Sequence, residues 1–384
     1  MRNVGTISRG IRTPIIKQGD DLENIVVESI LNAGQSDNIH FNDKDIVAVT
    51  ESLVARAQGN YVTLNNIAKD INNKFSDEVG VIFPIFSRNR FSLILKGIAK
   101  GVNKLYLQLN YPNDEVGNPI ANTNKIFEKR INPYSDEFTE KEFKDIFNSD
   151  DRKNPFTGVD ILEYYKGLSD NIEIIFSNDP TSILKYTKNV LTADIHTRFR
   201  TKELLKKAGA QNVYSLDEIM AKSIDGSGYN ETFGLLGSNY STDDKLKLFP
   251  RDGEVFVNNV QQKLLEKTGK KFEVMIYGDG AFKDPVAGIW ELADPVVSPA
   301  FTTGLSGTPN ELKLKFLADN SNLSDDEIIE KIRKKNIIGE ESLGTTPRKI
   351  TDLVGSLCDL TSGSGDKGTP IVLIQGYFDN YANE

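Results

Sequence analysis

The sequence predicts a chain of mixed helices and strands, with compact regions at its two ends and an inserted, loop-rich middle lobe. Three observations predict it. The first sixty residues pair a helical apolar period with a short β-branched run. The same compact punctuation returns after residue 250, and between residues 103 and 226 aromatic-rich polar loops alternate with charged helices.

Taken in order, Asp20 or Asp21 caps a helix in which Leu22, Ile25, Val26, Ile30 and Leu31 recur at three-to-four spacing until Gly34 ends it. Asp45-Ile46-Val47-Ala48-Val49-Thr50 is short, β-branched and preceded by the turn-like Asn42-Asp43-Lys44, which predicts a buried strand. A helix follows over residues 64–75, and a second apolar segment, 91–99, stands behind the basic Ser87-Arg88-Asn89-Arg90. The middle region holds the loops Tyr111-Pro112-Asn113-Asp114 and Asn154-Pro155-Phe156 and a strand at 172–176. It has no self-similar period, so a repeat architecture is not expected. Beyond it come a helix at 255–267, a strand at 272–277, a Gly/Asp/Pro loop and a helix at 325–334. A last helix, 350–360, runs through Thr361-Ser362-Gly363-Ser364-Gly365-Asp366-Lys367-Gly368 into a strand at 370–375.

Composition narrows the function. The 384 residues include 46 Lys+Arg against 55 Asp+Glu, a net charge of −9, which argues against a general nucleic-acid binder. An anionic ligand therefore needs a local basic or metal-filled site. With 38% hydrophobic and 26% charged residues, the chain builds cores. The single Cys358 excludes an internal disulfide, a thiolate zinc cluster and a CxxC pair; His40 and His196 stand without HExxH. Residues 1–19 lack the apolar run of a signal peptide and no stretch reaches membrane-span length, so a cytoplasmic protein without a membrane partner is expected.

Three segments have the residue types for chemistry. In Val274-Met275-Ile276-Tyr277-Gly278-Asp279-Gly280 a carboxylate follows a buried strand between two glycines, which suits an oxygen ligand for magnesium or manganese; the alternative is a turn aspartate bonded to local amides. Gly237-Ser238-Asn239-Tyr240-Ser241-Thr242-Asp243-Asp244 offers amide, hydroxyl and carboxylate oxygens, as does any Asx-type turn. The loop at 361–368 lacks GxxxxGK[ST] and reverses the P-loop order, yet its glycines permit amides to converge on phosphate; a plain surface turn is the alternative. Arg56, Lys283, Arg348 and Lys367 are cations in or beside these segments.

A family resemblance joins the pieces. Gly10-Ile11-Arg12-Thr13-Pro14-Ile15-Ile16 with Gly19-Asp20-Asp21-Leu22, then residues 45–59 (DIVAVTESLVARAQG), then 239–252, the strand ending in Asp279, and Pro370-Ile371-Val372-Leu373-Ile374-Gln375-Gly376 follow one another as in the coenzyme F-420 gamma-glutamyl ligase family. The chain resembles these enzymes over residues 8–62 and 230–378. The resemblance implies a two-lobed α+β core with mixed sheets, formed by residues 1–62 and 230–384, with 63–229 as the inserted lobe.

It also implies an ATP- or GTP-dependent ligase with divalent metal, Mg or Mn, that adds L-glutamate to a carboxylate-bearing small-molecule acceptor through an acyl phosphate, as a homodimer. By position, Asp279 and Arg56 become catalytic, with Arg56 facing phosphate. Asp279, Asn239 and Ser364 become metal ligands. Thr13, Pro14, Ile15, Ile16, Glu51, Ser52, Arg56, Thr242, Ser362, Gly363, Ser364, Gly365, Asp366, Lys367 and Gly368 become the nucleotide site. The chain departs from the family where Glu51, Ser52 and Arg56 replace Gln, Lys and Lys, Asn239 replaces a metal-binding Asp, Thr242 replaces Asn and Gly280 replaces Thr. A folate-type gamma-glutamyl ligase, a catalytically altered nucleotide- or metabolite-binding protein and a structural oligomer are the alternative readings.

Overall fold

A computed structural model of the protein describes residues 4–86, 91–154, 158–278, 281–283, 290–292, 298–309, 314–320, 322–334, 348–362 and 367–379. Two compact units divide the chain: one comprises Met1–Ala57, Asp252–Gly280 and Val296–Glu384, the other Gln58–Arg251 and Ala281–Pro295. The α+β architecture expected from the sequence is present, with helices packed on mixed sheets.

The first unit is built on a five-stranded sheet in the order Ile7–Ile11, Ile371–Gln375, Ile46–Thr50, Glu273–Tyr277 and Ala300–Phe301. Ile46–Thr50 and Glu273–Tyr277 run parallel; the other pairings are antiparallel. Alternate side chains enter opposite layers, as the period of two requires. Val47, Val49, Val274 and Ile276 pack with Val26 and Ile30 of helix Leu22–Ser36 and Val257 and Val260 of helix Gly253–Thr268. Ile46, Ala48, Met275 and Val372 pack with Val354 and Cys358 of helix Ile350–Ser362. A strand covered on both faces reads as an unbroken apolar run, which is why DIVAVT was legible without alternation. Asp21 caps Leu22–Ser36 by accepting the Asn24 N–H at 3.2 Å.

The second unit holds a six-stranded sheet in the order Phe138–Thr139, Ile172–Phe176, Lys104–Leu109, Glu78–Ile82, Asn189–Thr192 and Asn212–Ser215. Only the first of these strands is antiparallel to its neighbour. Helices Leu64–Phe75 and Phe91–Lys100 share an apolar cluster with Val79, Val81 and Leu107 on one face. On the other face the turn of 3-10 helix Pro180–Lys185 lies so close to Gly80 that a Cβ there would meet Ile183 Cγ1 at 2.4 Å. A three-stranded antiparallel sheet, Ser238–Thr242, Lys245–Leu248 and Tyr61–Thr63, completes this description of the unit. Its ends meet: Gln58 donates from Nε2 to the Arg251 carbonyl at 2.7 Å and accepts the Arg251 N–H at 2.8 Å. Among the described residues no helix is long and apolar enough to cross a membrane.

Candidate active site

One end of the five-stranded sheet gathers four of the expected segments. Ile11 lies opposite Ile371, Ile371 opposite Val49, and Thr50 beside Tyr277 in register. The first strand therefore exits into Thr13–Ile16 at the same end where Thr50 turns into helix Glu51–Gln58, where Tyr277 leads to Gly278, and where residues 367–370 arrive. The Thr50 N–H donates to the Pro370 carbonyl at 3.0 Å, and the Gly19 N–H to the Ala57 carbonyl at 2.8 Å, so the 12–19 loop is tied to the end of that helix.

Helix Glu51–Gln58 follows strand Ile46–Thr50 without an intervening loop, and its first amides stand at this end of the sheet. Such a start carries a partial positive charge, a usual setting for an anion. Glu51 is buried at 4% exposure. Ser52 and Arg56 are four residues apart and share one face of the helix; Arg56 is exposed. Ile16 is buried in the core, while Thr13 is half-buried and Pro14 and Ile15 are exposed.

Thr369 is a residue of this region that the sequence does not single out. Thr369 donates from Oγ1 to the Ser362 carbonyl at 2.9 Å, closing the two ends of the 362–369 segment on each other. Beneath it, a Cβ at Gly10 would stand 2.9 Å from Thr369 Cβ, so glycine admits the threonine. Ser8 and Thr361 add a hydroxyl pair at 2.7 Å. A lone threonine before a strand carries no sequence signal of this kind; the glycine-rich run beside it was the nearest clue.

Asp279, Gly280, Gly363, Ser364, Gly365 and Asp366 lie outside the described residues. Ser362 closes helix Ile350–Ser362, and Lys367 and Gly368 are exposed. Asn239 and Thr242 belong to the second unit, on the strand Ser238–Thr242 rather than in a free loop. Asn239 stands opposite Lys247, and the Thr242 hydroxyl donates to Asp244 at 2.8 Å. Lys247 is only 8% exposed, which the alternation Lys245-Leu246-Lys247-Leu248 did not foretell, because both sides of that strand are covered.

The donors show what could be held. The helix start and Arg56 give the sheet end a positive character. For a metal, Asn239 and Thr242 offer only neutral oxygens, and Thr242 already gives its hydroxyl to Asp244. Among the described residues no group of three or more His, Cys, Asp or Glu could hold a metal ion. Cys358 is buried and its thiol is pushed up by that burial, so it has the character of a core residue and not of a nucleophile. His40 and His196 are exposed and engage their neighbours through backbone atoms, His40 through its carbonyl to Gln375 Nε2 at 2.9 Å and His196 through its N–H to Glu115 at 3.2 Å.

A search of characterised proteins returns no match. The family model described as F420-0:Gamma-glutamyl ligase matches residues 10–376. That span contains all four segments gathered at the sheet end, and the chain belongs to this family, whose members are ligases that add glutamate.

Proposed function

We propose that the chain is a nucleotide- and metal-dependent carboxylate-amine ligase that joins L-glutamate, or a related amino acid, to a carboxylate-bearing small molecule. The observation that supports this reading is the convergence of residues 12–16, 50–52, 277–278 and 367–370 at one end of one sheet, within a family match that spans 10–376.

The chemistry needs position more than a protein nucleophile. An acceptor carboxylate oxygen attacks the γ-phosphorus of GTP or ATP, and the bond to the β-phosphate oxygen breaks. The amino group of glutamate then attacks the acyl carbon of the resulting acyl phosphate, loses a proton, and inorganic phosphate leaves. Arg56 and the amides of the Glu51–Gln58 helix start and of the 362–368 segment would face the phosphates and stabilise their charge as it shifts. Thr13–Ile16 would border the nucleotide, with Glu51 and Ser52 beside it. A divalent ion, when bound, supplies further neutralisation of phosphate charge, and Asp279 and Ser364 are the residues this reading gives to it. Asn239 and Thr242 belong to the other unit, and the reaction is derived without them.

The test combines isotopically labelled glutamate, GTP or ATP, manganese and a panel of acceptors that includes deazaflavin and folate carboxylates, read by mass spectrometry. A glutamylated product that forms only with nucleotide is expected, and Asp279→Asn should remove both ligation and manganese affinity. Unchanged ligation and metal affinity in that variant would defeat the assignment of Asp279. The replacements at 52, 56 and 239 favour one second reading, a nucleotide- or metabolite-binding protein without ligation; calorimetric nucleotide binding with no product from any acceptor supports it.

A further inference from the structure

The parallel strands of the second unit follow a 3-2-1-4-5 order: Ile172–Phe176, Lys104–Leu109, Glu78–Ile82, Asn189–Thr192 and Asn212–Ser215. From Glu78–Ile82 the chain passes through helix Phe91–Lys100 to one side; from Asn189–Thr192 it passes through helix Arg198–Lys207 to the other. The two helices pack on opposite faces, since Val79, Val81 and Leu191 share a cluster with Leu95 whereas Ile82 and Val190 share one with Leu205. Where neighbouring parallel strands send their connections in opposite directions, a crevice opens beyond their carboxyl ends, and this is where open α/β sheets bind ligands.

Polar groups at this switch point are buried without partners. Thr192, the last residue of its strand, is fully buried and its Oγ1 makes no hydrogen bond. Asp194 is 1% exposed. Its Oδ2 accepts the hydroxyls of Thr197 and Thr201 at 2.7 Å each, while its Oδ1 has no partner. Each such atom carries the desolvation cost of a buried, unpaired polar group, which folded proteins retain mainly where something else satisfies the group. Glu115, from the loop after Lys104–Leu109, accepts the N–H groups of Ile195 at 2.5 Å and His196 at 3.2 Å and so joins the two loops at the crevice.

The chemistry of these groups selects the ligand. Arg198 forms an ion pair with Asp217 at 3.3 Å and donates to the Ile195 carbonyl, while its Nε has no hydrogen-bond partner and its charge also bears on Asp194. The connection after strand Glu78–Ile82 reads Phe83-Pro84-Ile85-Phe86-Ser87-Arg88-Asn89-Arg90, with two arginines but without the glycines that let a pyrophosphate approach the backbone. Among the described residues, the groups at these strand ends that still await a hydrogen-bond partner are Asp194 Oδ1 and the Thr192 hydroxyl.

We propose that the second unit carries a separate binding site at this switch point for a small molecule with a primary ammonium group, whose three N–H donors would meet Asp194 Oδ1 and Thr192 Oγ1. Both atoms are closed to solvent in this state, so the ligand enters where Glu115 yields its hold on residues 195–196. The ammonium could belong to an amino acid or to a diamine. The site stands independently of the ligation reading.

Calorimetry on the full chain with L-glutamate, with putrescine and with inorganic phosphate tests it, accompanied by amide NMR of Ile195 and His196. Saturable binding of one amine is expected, with both amides shifted, and a tenfold or greater loss in Asp194→Asn and in Thr192→Val. Because Thr192 Oγ1 has no partner to lose, Thr192→Val should melt no lower than the parent, which keeps the test valid if Asp194→Asn fails to fold. Preferred binding of phosphate, or no amine binding, overturns the proposal. So does glutamate that binds Thr192→Val unchanged: it would then be held elsewhere, and the ligation reading would stand without this site.

Discussion

Arg56 lies on the exposed face of helix Glu51–Gln58, one turn beyond Ser52. Its replacement removes charge without opening the core, so the proposed role separates cleanly from stability. Arg56→Ala should raise the nucleotide KM about tenfold to a hundredfold, the worth of one hydrogen bond to a charged group, and leave the melting temperature unchanged. Arg56→Lys should recover part of this, since the point charge survives and the planar fork is lost. Unaltered steady-state kinetics in Arg56→Ala would remove it from the site. Tyr111 carries a different prediction. It is 1% exposed and donates to the Asp136 carbonyl at 2.5 Å. Burial, with Asp136 and Glu137 nearby, pushes its hydroxyl up to about 12. The folded state thus keeps the proton over a range where the unfolded chain gives it up, so the contribution is complete below pH 10 and is lost as pH rises through about 12. Denaturation midpoints measured across that range should fall in the parent and fall less in Tyr111→Phe. At this scale the sequence points to Glu51, Ser52 and Arg56 through family resemblance but is silent on Thr369, whose pairing with Gly10 depends on two distant parts of the chain meeting.

Elements were legible where one physical signal dominated. Helix Leu64–Phe75 matches its apolar period end to end, and Asp325–Lys334 and strand Ile172–Phe176 do likewise. In the large sheet the sequence marks only Ile172–Phe176; it misses the two-residue Phe138–Thr139 and also Glu78–Ile82, Lys104–Leu109, Asn189–Thr192 and Asn212–Ser215. The last four are short and carry Lys, Glu, Asn or Gly, and three of them are flanked on both sides by parallel partners, so neither alternation nor a long apolar run marks them. The stretch Asn239 to Asp244 was oxygen-rich enough to suggest a turn, yet most of it pairs as a hairpin with Lys245–Leu248 because every second residue of the partner strand is apolar. Gly80 shows what a glycine does inside such a strand. Gly80→Ala would press on Ile183, and the overpacking should cost about 1–3 kcal/mol against a smaller gain from reduced chain freedom. Urea denaturation should place the single variant below the parent, while Gly80→Ala combined with Ile183→Ala should lose less than the sum of the two, because the new methyl fills space the second change vacates.

At the scale of the molecule, the net charge of −9 sets the terms for any anionic substrate: compensation has to be local. Helix Glu51–Gln58 and Arg56 offer it at one sheet end, and the chain order there is interrupted by the whole of Gln58–Arg251. That long segment begins and ends at one place. Gln58 holds both the N–H and the carbonyl of Arg251, so the two ends of the segment are a hydrogen-bond length apart. It also has its own apolar clusters on both faces of its own sheet, with Val81, Leu107 and Ile174 in one and Ile82, Ile175 and Val190 in the other. A segment with closed ends and a private core has the properties of a folding unit inserted into a loop of another. Residues 58–251 expressed alone should therefore give a native-like circular dichroism spectrum, dispersed amide resonances and a single cooperative melt. Gln58→Ala in the full chain should cost about 1–3 kcal/mol, the net worth of its two hydrogen bonds to the Arg251 N–H and carbonyl. A fragment with the spectrum of an unfolded chain would show that the cores, although separate in space, depend on one another to form.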